Sequence, residues 1–204
     1  MRRLTAGLLA VLLLCACAGE GAAKPAALPE SCRFVYRMES YEGAERTSHQ
    51  VVTVVQSGDG VYYSAGGAEF LFRRESAESY TMYIRSQVYG TFTVSPGELV
   101  GREKVERFAS GVLHIGLLCQ DTEGLTPAGE DTAAGRVCTV YEGAGPAGTE
   151  YQRAVRLLVD QETGLVLGQW LRYTHRETGA ETVYVMICEL FEIGPVSLPA
   201  FSPL

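Results

Sequence analysis

Short β-branched and aromatic runs, separated by turn residues, are the feature that most restricts how this sequence can fold. Several such runs lie in the first half of the chain, and Gly58-Asp59-Gly60 and Gly66-Gly67 are typical of the tight turns between them. In the run at 80–85 the two-residue period places Tyr80, Met82 and Ile84 on one face of a sheet. These runs are 34–41, 51–56, 61–64, 70–73, 80–85 and 88–94.

Longer runs of the same kind return after residue 136. Short polar loops at 160–164 and 176–179 join the last three runs, and a glycine near the end of each loop is typical of β-hairpins. We therefore predict an antiparallel meander. Residues 183–187 are apolar at every position, which predicts that this strand is covered on both faces and lies centrally or under a helix. The GAGPAG segment at 143–148 is interpreted as a loop, and the strand runs are 137–141, 151–159, 165–174 and 182–193.

The apolar period changes between residues 103 and 119. Val105, Phe108 and Val112 recur at helical spacing, while charged residues occupy the remaining early positions. This pattern predicts an amphipathic helix that packs its apolar side against the core, although Gly111 and Gly116 weaken it. Strands followed by a helix and a strand meander indicate an α+β fold.

The first residues follow a secretory pattern. Arg2 and Arg3 precede an apolar run at 4–14 that is too short to span a bilayer. Leu14-Cys15-Ala16-Cys17 follows directly and resembles the bacterial lipobox, which implies cleavage before Cys17 and lipidation of its thiol. The rival interpretation is Ala16-Cys17-Ala18, which fits ordinary secretion and would release a soluble protein. We favour the lipobox, and two acyl chains on Cys17 would give stable anchoring.

Composition then divides the chain into three parts. Residues 1–16 are the predicted signal peptide, and 17–31 are a lipidated cysteine with a flexible tether rich in Ala, Gly and Pro. Residues 32–204 are expected to form a single β-rich domain. Loss of Arg2 and Arg3 leaves 15 basic and 24 acidic side chains, a net charge of −9. An acidic protein of this kind is not expected to bind nucleic acid, because phosphate contacts require clustered Lys and Arg.

The C-terminal strands and their turns form a second pattern. A strand that ends in a hydrophobic residue and Asp leads through a Thr-Gly turn to a strand with an aromatic residue, and the last strand continues into the motif F-x-I-G-x-V-x-x-P-x-F. This pattern resembles the end of the LolA/LolB/RseB-like lipoprotein group, which implies a curved antiparallel β-sheet, an open half-barrel, with a helix packed on its concave face. The best matches are Leu157, Val159, Asp160, Thr163, Gly164, Leu165, Tyr173, Phe191 and Phe201.

Four cysteines remain after Cys17 in the mature chain. In an exported protein an even number predicts disulfides, and three pairings are possible. We favour Cys119–Cys138, which would join the helix end to the next strand, and Cys32–Cys188, which would join the first and last strands. Buried free thiols are the alternative. No metal site is expected, because there is no C-x-x-C and no histidine at ligand spacing.

Aromatic residues could contribute to a binding surface. Tyr62, Tyr63, Tyr80, Tyr83 and Tyr89 fall in adjacent strands, where alternation would expose some of them to a protein or glycan. Cross-strand packing is the alternative and the favoured explanation. The single Trp, at position 170, is out of phase with the leucines at 165, 167 and 171, so we expect it on the opposite face of the meander.

The sequence contains no recognisable catalytic motif, since G-x-S-x-G, H-E-x-x-H and phosphate-binding loops are missing. We expect neither an enzyme nor a cofactor. The resemblance implies binding: several members hold acyl chains, and others bind proteins, including clostridial germination lipoproteins that act on a peptidoglycan amidase. We expect an extracytoplasmic, membrane-anchored lipoprotein that carries or senses an apolar ligand such as a lipid; the alternative is a lipoprotein that binds a protein partner of the cell envelope. The expected pocket residues are Phe70, Phe72, Met82, Ile84, Phe92, Phe108, Val112 and Trp170.

Overall fold

The computed structural model describes residues 29–88, 91–105, 122, 124–145 and 148–200. Within them β-strands form nearly all the regular structure, and the one helical segment is a single turn at 102–105. The predicted leader, Cys17 and most of the tether lie outside the described residues. The strands are β1 (Cys32–Glu42), β2 (Glu45–Ser57), β3 (Gly60–Ala65), β4 (Ala68–Arg74), β5 (Ser79–Val88), β6 (Thr91–Val94), β7 (Glu98–Gly101), β8 (Thr126–Ala133), β9 (Arg136–Gly145), β10 (Tyr151–Asp160), β11 (Val166–His175) and β12 (Glu181–Ile193).

Hydrogen-bonded strands follow the order β6-β5-β4-β3-β2-β1-β12-β11-β10-β9-β8, and β7 also pairs with β5. The meander strands β10, β11 and β12 pair antiparallel, as do β2 to β5 in the other half. In the described chain the order is open, with β6 and β8 at its two ends. The predicted open antiparallel sheet and its C-terminal meander are therefore confirmed. The central position predicted for β12 is confirmed too, since it lies between β1 and β11.

The predicted helix at 103–119 is not supported. Only 103–105 fall within the helical turn, and 106–119 lie outside the described residues. A helix packed on a concave sheet face, the α component of the expected α+β fold, is therefore not part of the described structure. The turn does bury Val105, which is 4% exposed, so the first apolar residue of the predicted stripe lies in a core.

Two further differences concern β8 and β9. The β8 segment, TPAGEDTA, was not predicted as a strand because it has few β-forming residues, yet it pairs with β9 and exposes all but its last residue. Backbone hydrogen bonds to β9 supply the pairing that its side chains do not favour. β9 continues through Gly145, so the loop predicted at 143–148 is wrong for its first three residues. A Cβ on Gly143 would lie 2.9 Å from the carbonyl oxygen of Gly124, so this strand position requires glycine.

The chain divides into two compact units. The meander unit comprises Met38–His49 and the described part of Ser110–Ile187. The β3–β7 unit comprises the described parts of Leu28–Arg37, Gln50–Ala109 and Cys188–Leu204. Each unit has its own buried apolar residues: two clusters lie in the β3–β7 unit and one lies in the meander unit.

The meander unit is built around one buried apolar cluster on β10 and β11. Val155, Leu157, Val166 and Leu171 are each at most 8% exposed and lie in contact. Val155 pairs directly with Leu171 across the two strands, which places both side chains on the same face. The partly buried residues packed around this cluster are Leu125, Tyr141, Val159, Tyr173 and Tyr184.

The β3–β7 unit has a cluster on each face of its strands. Leu71 lies opposite Tyr62 and Tyr83, and all three belong to one cluster. The next residue, Phe72, lies opposite Val61 and Met82 in the other cluster. Consecutive residues of β4 therefore face opposite sides, as strand geometry requires. The face predicted for Tyr80, Met82 and Ile84 is confirmed, because all three pack in the Phe72 cluster.

Candidate ligand-binding face

One face of β3, β4 and β5 is made of uncharged, largely apolar side chains, and we call it the apolar face. Strand alternation brings its members together, since every second residue of each strand points to the same side. The face ends at Arg74, the last residue of β4, which is exposed and lies opposite Tyr80, and the other charged side chains of these strands lie at the alternate positions. Its members are Val61, Tyr63, Phe70, Phe72, Tyr80, Met82 and Ile84.

The lower row of the apolar face is closed. Phe72 and Met82 lie opposite each other on β4 and β5 and are 1% and 8% exposed. Val100 of β7 and Val105 of the helical turn cover them and are themselves buried. Pairing of β7 with β5 positions this cover, because Val100 lies opposite Tyr80. This row is therefore core.

The upper row of the apolar face is only partly covered. Tyr63, Phe70 and Ile84 are direct cross-strand neighbours, and each has intermediate exposure. The rings of Tyr63 and Phe70 have centroids 6.1 Å apart and are tilted by 40°. Burial raises the pKa of Tyr63 to about 12, so its phenol stays neutral at physiological pH. The upper row thus offers a neutral aromatic and aliphatic surface beside a closed core.

The opposite face of the same strands is chemically different. Glu69 of β4 pairs with Arg85 of β5 and accepts a hydrogen bond from the Tyr62 hydroxyl at 3.1 Å. The C-terminal segment covers the apolar residues beside this group, because Val196 and Leu198 pack against the Leu71 cluster. This face is occupied by the chain's own residues, so the apolar face is the better candidate for a ligand.

The structure brings together half of the residues predicted to line a pocket. Phe70, Phe72, Met82 and Ile84 all lie on the apolar face. The backbone of Phe92 lies in β6, but its side chain is outside the described residues, as are Phe108 and Val112. Tyr63 was named among the tyrosines of a possible binding surface but not among the pocket residues, although its alternation with Val61 places it on this face.

Trp170 belongs to a charged cluster of the meander unit rather than to the apolar face. It lies opposite Arg156 and Val185, whereas its neighbour Leu171 packs in the Val155 cluster, so the predicted position on the opposite face is confirmed. The Arg156 guanidinium carbon lies 5.1 Å from the centroid of the indole ring, which is a cation–π contact.

None of the described cysteines forms a disulfide. Cys32, Cys138 and Cys188 are all buried, and Cys119 lies outside the described residues. The Cys188 thiol donates to the carbonyl oxygen of Leu190 at 3.1 Å, a local contact within β12. Burial raises the pKa of Cys32 to about 12, so this group remains a protonated and unreactive thiol.

The contacts between β1 and β12 explain why Cys32 and Cys188 are not joined as predicted. Phe34 stacks on Phe191 with ring centroids 4.5 Å apart, and the strands run antiparallel at this point. Cys32 lies two residues from this contact along β1, and Cys188 lies three residues from it in the opposite direction. At about 3.3 Å per residue the two are roughly 16 Å apart along the strands, beyond the roughly 7 Å that a disulfide spans between Cα atoms.

A buried ion pair at the β10–β11 turn is the polar centre of the meander unit. Asp160 is 1% exposed and accepts hydrogen bonds from Nε and Nη2 of Arg136, at 2.9 and 3.0 Å. The backbone N–H and hydroxyl of Thr163 also donate to Asp160. Burial acts to raise the pKa of Asp160, but these hydrogen bonds outweigh it, so the pKa lies below its ordinary value of 3.8.

This network gives the Asp-to-Thr-Gly turn a structural role. The Gly164 N–H donates to the carbonyl oxygen of Asp160 at 2.8 Å, which closes the turn between the strands. Sequence matching identified Asp160, Thr163 and Gly164 but missed Arg136, which lies 24 residues earlier in the chain. No local pattern marks that pairing, because antiparallel strands bring distant residues together. With every Asp160 oxygen hydrogen-bonded, the turn stabilises the fold and offers no free base.

The described residues contain no group of three or more His, Cys, Asp and Glu side chains arranged to hold a metal ion. Their one helical turn is far too short to cross a bilayer, and no helix among them has the required length and apolar character.

Comparison with known proteins gives distant structural neighbours. No protein-family model and no curated protein matches the chain. The complex of Pseudomonas aeruginosa MucA/MucB matches with a TM-score of 0.36 at 18% identity, over 82% of this chain and 53% of that chain. A structure of MucB alone matches with a TM-score of 0.37 at 16% identity, over 95% of this chain and 61% of that chain. A LolA superfamily protein from Nitrosomonas europaea matches with a TM-score of 0.26 at 10% identity, over 84% and 90% of the two chains.

The Nitrosomonas europaea protein is described as a member of the LolA superfamily. The chain spans a little over half the length of the MucB chains that it matches.

Proposed function

We propose that the apolar face binds an apolar ligand, such as an acyl chain, and that the protein carries or senses this ligand without catalysis. The observation that carries the proposal is the partly covered row of Tyr63, Phe70 and Ile84 directly beside the closed row of Phe72 and Met82. A ligand lying on the upper row would extend a core that already exists. It would meet no charged side chain in the upper row, because Arg74 lies at the other end of this face, beyond the lower row.

Hydrophobic burial provides enough free energy for such binding. Each methylene group removed from water contributes about 0.8 kcal/mol, so a chain of about sixteen, as in common acyl chains, would contribute roughly 13 kcal/mol before the cost of association. That cost is at least about 4 kcal/mol. The difference is of the order that gives measurable but reversible binding. A carrier or sensor requires binding of this kind, because its ligand must be released.

Native mass spectrometry of the full chain, purified from its own membrane, tests the proposal. We expect lipid-sized adducts on the unaltered protein and at least a tenfold lower adduct fraction for Phe70→Glu, because the new carboxylate would have to be desolvated by the ligand. Leu99→Glu is the matched control, since Leu99 belongs to the same unit but is 71% exposed. Circular dichroism establishes that both variants fold. Repeated absence of any adduct on the unaltered protein would exclude the proposal.

We further propose that the protein works outside the cytoplasm, anchored through lipid on Cys17. The support is the apolar leader and the lipobox-like Leu14-Cys15-Ala16-Cys17. Radiolabelled palmitate should enter the unaltered chain, and Cys17→Ser should abolish both labelling and cleavage of the leader. Cys15→Ser is the control and should leave both intact. Processing that continues unchanged in Cys17→Ser would favour ordinary secretion.

A second candidate function, binding of a protein partner, is supported by a different surface in the meander unit. That surface lies around Arg153 of β10 and Tyr173 of β11.

A further inference from the structure

A strip of aromatic side chains surrounds Arg153 on β10, β11 and β12, and we call it the arginine–tyrosine strip. Its members are Tyr151, Arg153, Tyr173, His175 and Tyr184. Tyr151 and His175 form an edge-to-face pair with ring centroids 5.1 Å apart, and Tyr173 and Tyr184 form another at 6.0 Å. The guanidinium carbon of Arg153 lies 5.9 Å from the centroid of the Tyr173 ring.

The charge of Arg153 is not balanced by a carboxylate in the described part of the chain. Its Nε atom is buried without a hydrogen-bond partner there, and its defined contact is with the ring of Tyr173. Arg156 of the same strand also has an Nε without a hydrogen-bond partner and an aromatic contact, with Trp170, but its charge is paired. It faces the other side of β10, and its Nη2 lies 3.0 Å from a carboxylate oxygen of Asp131. The two arginines therefore differ in that Arg156 has a carboxylate partner, whereas Arg153 lies against the ring of Tyr173 without one in the described chain.

We propose that the arginine–tyrosine strip binds a peptide segment carrying one carboxylate among apolar side chains. Arginine presents a planar fork of donors that matches a carboxylate, and stacking on Tyr173 restricts its orientation before the ligand arrives. Tyrosine is enriched in protein interfaces because its rigid ring contacts apolar groups while its hydroxyl remains available to water or polar groups. All five side chains are at least partly accessible, and Tyr151 is 41% exposed.

Net charge distinguishes this occupant from an extended polyanion. The chain carries 24 acidic and 17 basic side chains, a net charge of −7. A nucleic acid or an anionic bilayer presents many charges at once and would be repelled by that excess. A single carboxylate in an otherwise neutral peptide interacts mainly with the local charge, which at Arg153 is positive. The strip therefore suits a short segment of a protein partner.

An array of nine-residue peptides tests the proposal with the full chain. Each peptide carries one Glu, or Gln in its matched copy, flanked by Leu, Val, Phe and Ser in varied order. We expect the protein to bind a subset of Glu peptides at least tenfold more tightly than their Gln copies. We expect Arg153→Gln to reduce that binding at least tenfold. Arg172→Gln is the matched control, because Arg172 is exposed, lies on β11 and faces the opposite side, opposite Ala154.

Four outcomes would overturn the proposal. They are no bound peptide, equal binding of Glu and Gln copies, equal losses for Arg153→Gln and Arg172→Gln, and binding in an Arg153-dependent way to phosphatidylglycerol vesicles or inorganic phosphate but not to peptides. Circular dichroism and urea unfolding of both variants establish that a loss of binding is not a loss of fold. Because Phe70 lies in the other unit, Phe70→Glu should leave peptide binding intact, and the test is independent of the apolar-ligand proposal.

Discussion

The meander unit and the β3–β7 unit hold their strands together by different means. In the meander unit a buried carboxylate, Asp160, is satisfied by Arg136 and Thr163, and it fixes the β10–β11 turn. In the β3–β7 unit Phe72 and Met82 form a closed apolar row, and Tyr63, Phe70 and Ile84 extend it without being fully covered.

The difference shows how one sheet can combine a rigid region with an adaptable one. A satisfied polar network accepts few geometries, because any displacement leaves a buried charge without its partner. An apolar row tolerates many arrangements of a ligand, because the hydrophobic effect is not directional. We therefore assign structural stability to the Asp160 turn and apolar binding to the upper row of the apolar face.

The largest expected loss of stability comes from a substitution in the closed lower row of the apolar face. Phe72→Ala should lower the free energy of unfolding by about 4 kcal/mol, because the ring is 1% exposed and its loss leaves a cavity. Phe70→Ala should cost less than half as much, because Phe70 is only partly buried. Urea unfolding followed by circular dichroism measures both values. Equal losses would mean that both rows are core, and the apolar face would no longer be a candidate site.

The next effect tests the rigid region. Asp160→Asn should lower the free energy of unfolding by about 3 kcal/mol, because Arg136 then loses its buried carboxylate partner and keeps only the exposed Glu162. Asp131→Asn is the control, since that carboxylate pairs with Arg156 near the surface and should contribute about 0.5 kcal/mol. Urea unfolding at pH 7 compares the two variants. A small loss for Asp160→Asn would show that backbone pairing alone holds the turn.

The pH dependence of the same pair sharpens the comparison. The folded pKa of Asp160 is below 3.8, so its contribution to stability is present above that pH and is lost as the pH falls through the folded pKa. The unaltered protein should therefore lose more stability between pH 5 and 2 than Asp160→Asn does. Urea midpoints across this range provide the measurement. Identical pH profiles would contradict the role assigned to the ionised carboxylate.

The smallest effect concerns the C-terminal segment of the β3–β7 unit. Leu198→Ala should lower the free energy of unfolding by about 1 kcal/mol, because Leu198 is a partly buried neighbour of the Leu71 cluster. It should leave lipid adducts unchanged, since this segment packs on the face opposite the proposed ligand. Loss of adducts in Leu198→Ala, measured by native mass spectrometry, would place the ligand on that opposite face instead.

The local sequence pattern was sufficient to predict which side chains of an individual strand share a face. The two-residue period placed Tyr80, Met82 and Ile84 on one side of β5, and phase placed Trp170 on the side opposite Leu171. Both predictions hold because side-chain direction in a strand depends only on position along it. β8 was missed for the complementary reason, since pairing with β9 makes it a strand despite an unfavourable composition.

Contacts between residues that are distant in the chain could not be predicted from the local sequence pattern. The predicted bridge between Cys32 and Cys188 assumed that the first and last strands meet at those residues, but the Phe34–Phe191 contact sets a register that separates them. Arg136 was not recognised as the partner of Asp160, and Arg153 was not distinguished from Arg156. Register and pairing between strands decide each of these contacts.

The sequence alone determined that this chain forms antiparallel strands joined by glycine-containing turns, and which side chains of each strand share a face. Those properties follow from the local geometry of the backbone. Only the tertiary structure decided which faces are closed, which charges are paired and which cysteines are apart. Burial of a face, pairing of charges and separation of cysteines depend on the free energy of bringing together residues from distant parts of the chain. That free energy cannot be derived from composition or from residue spacing.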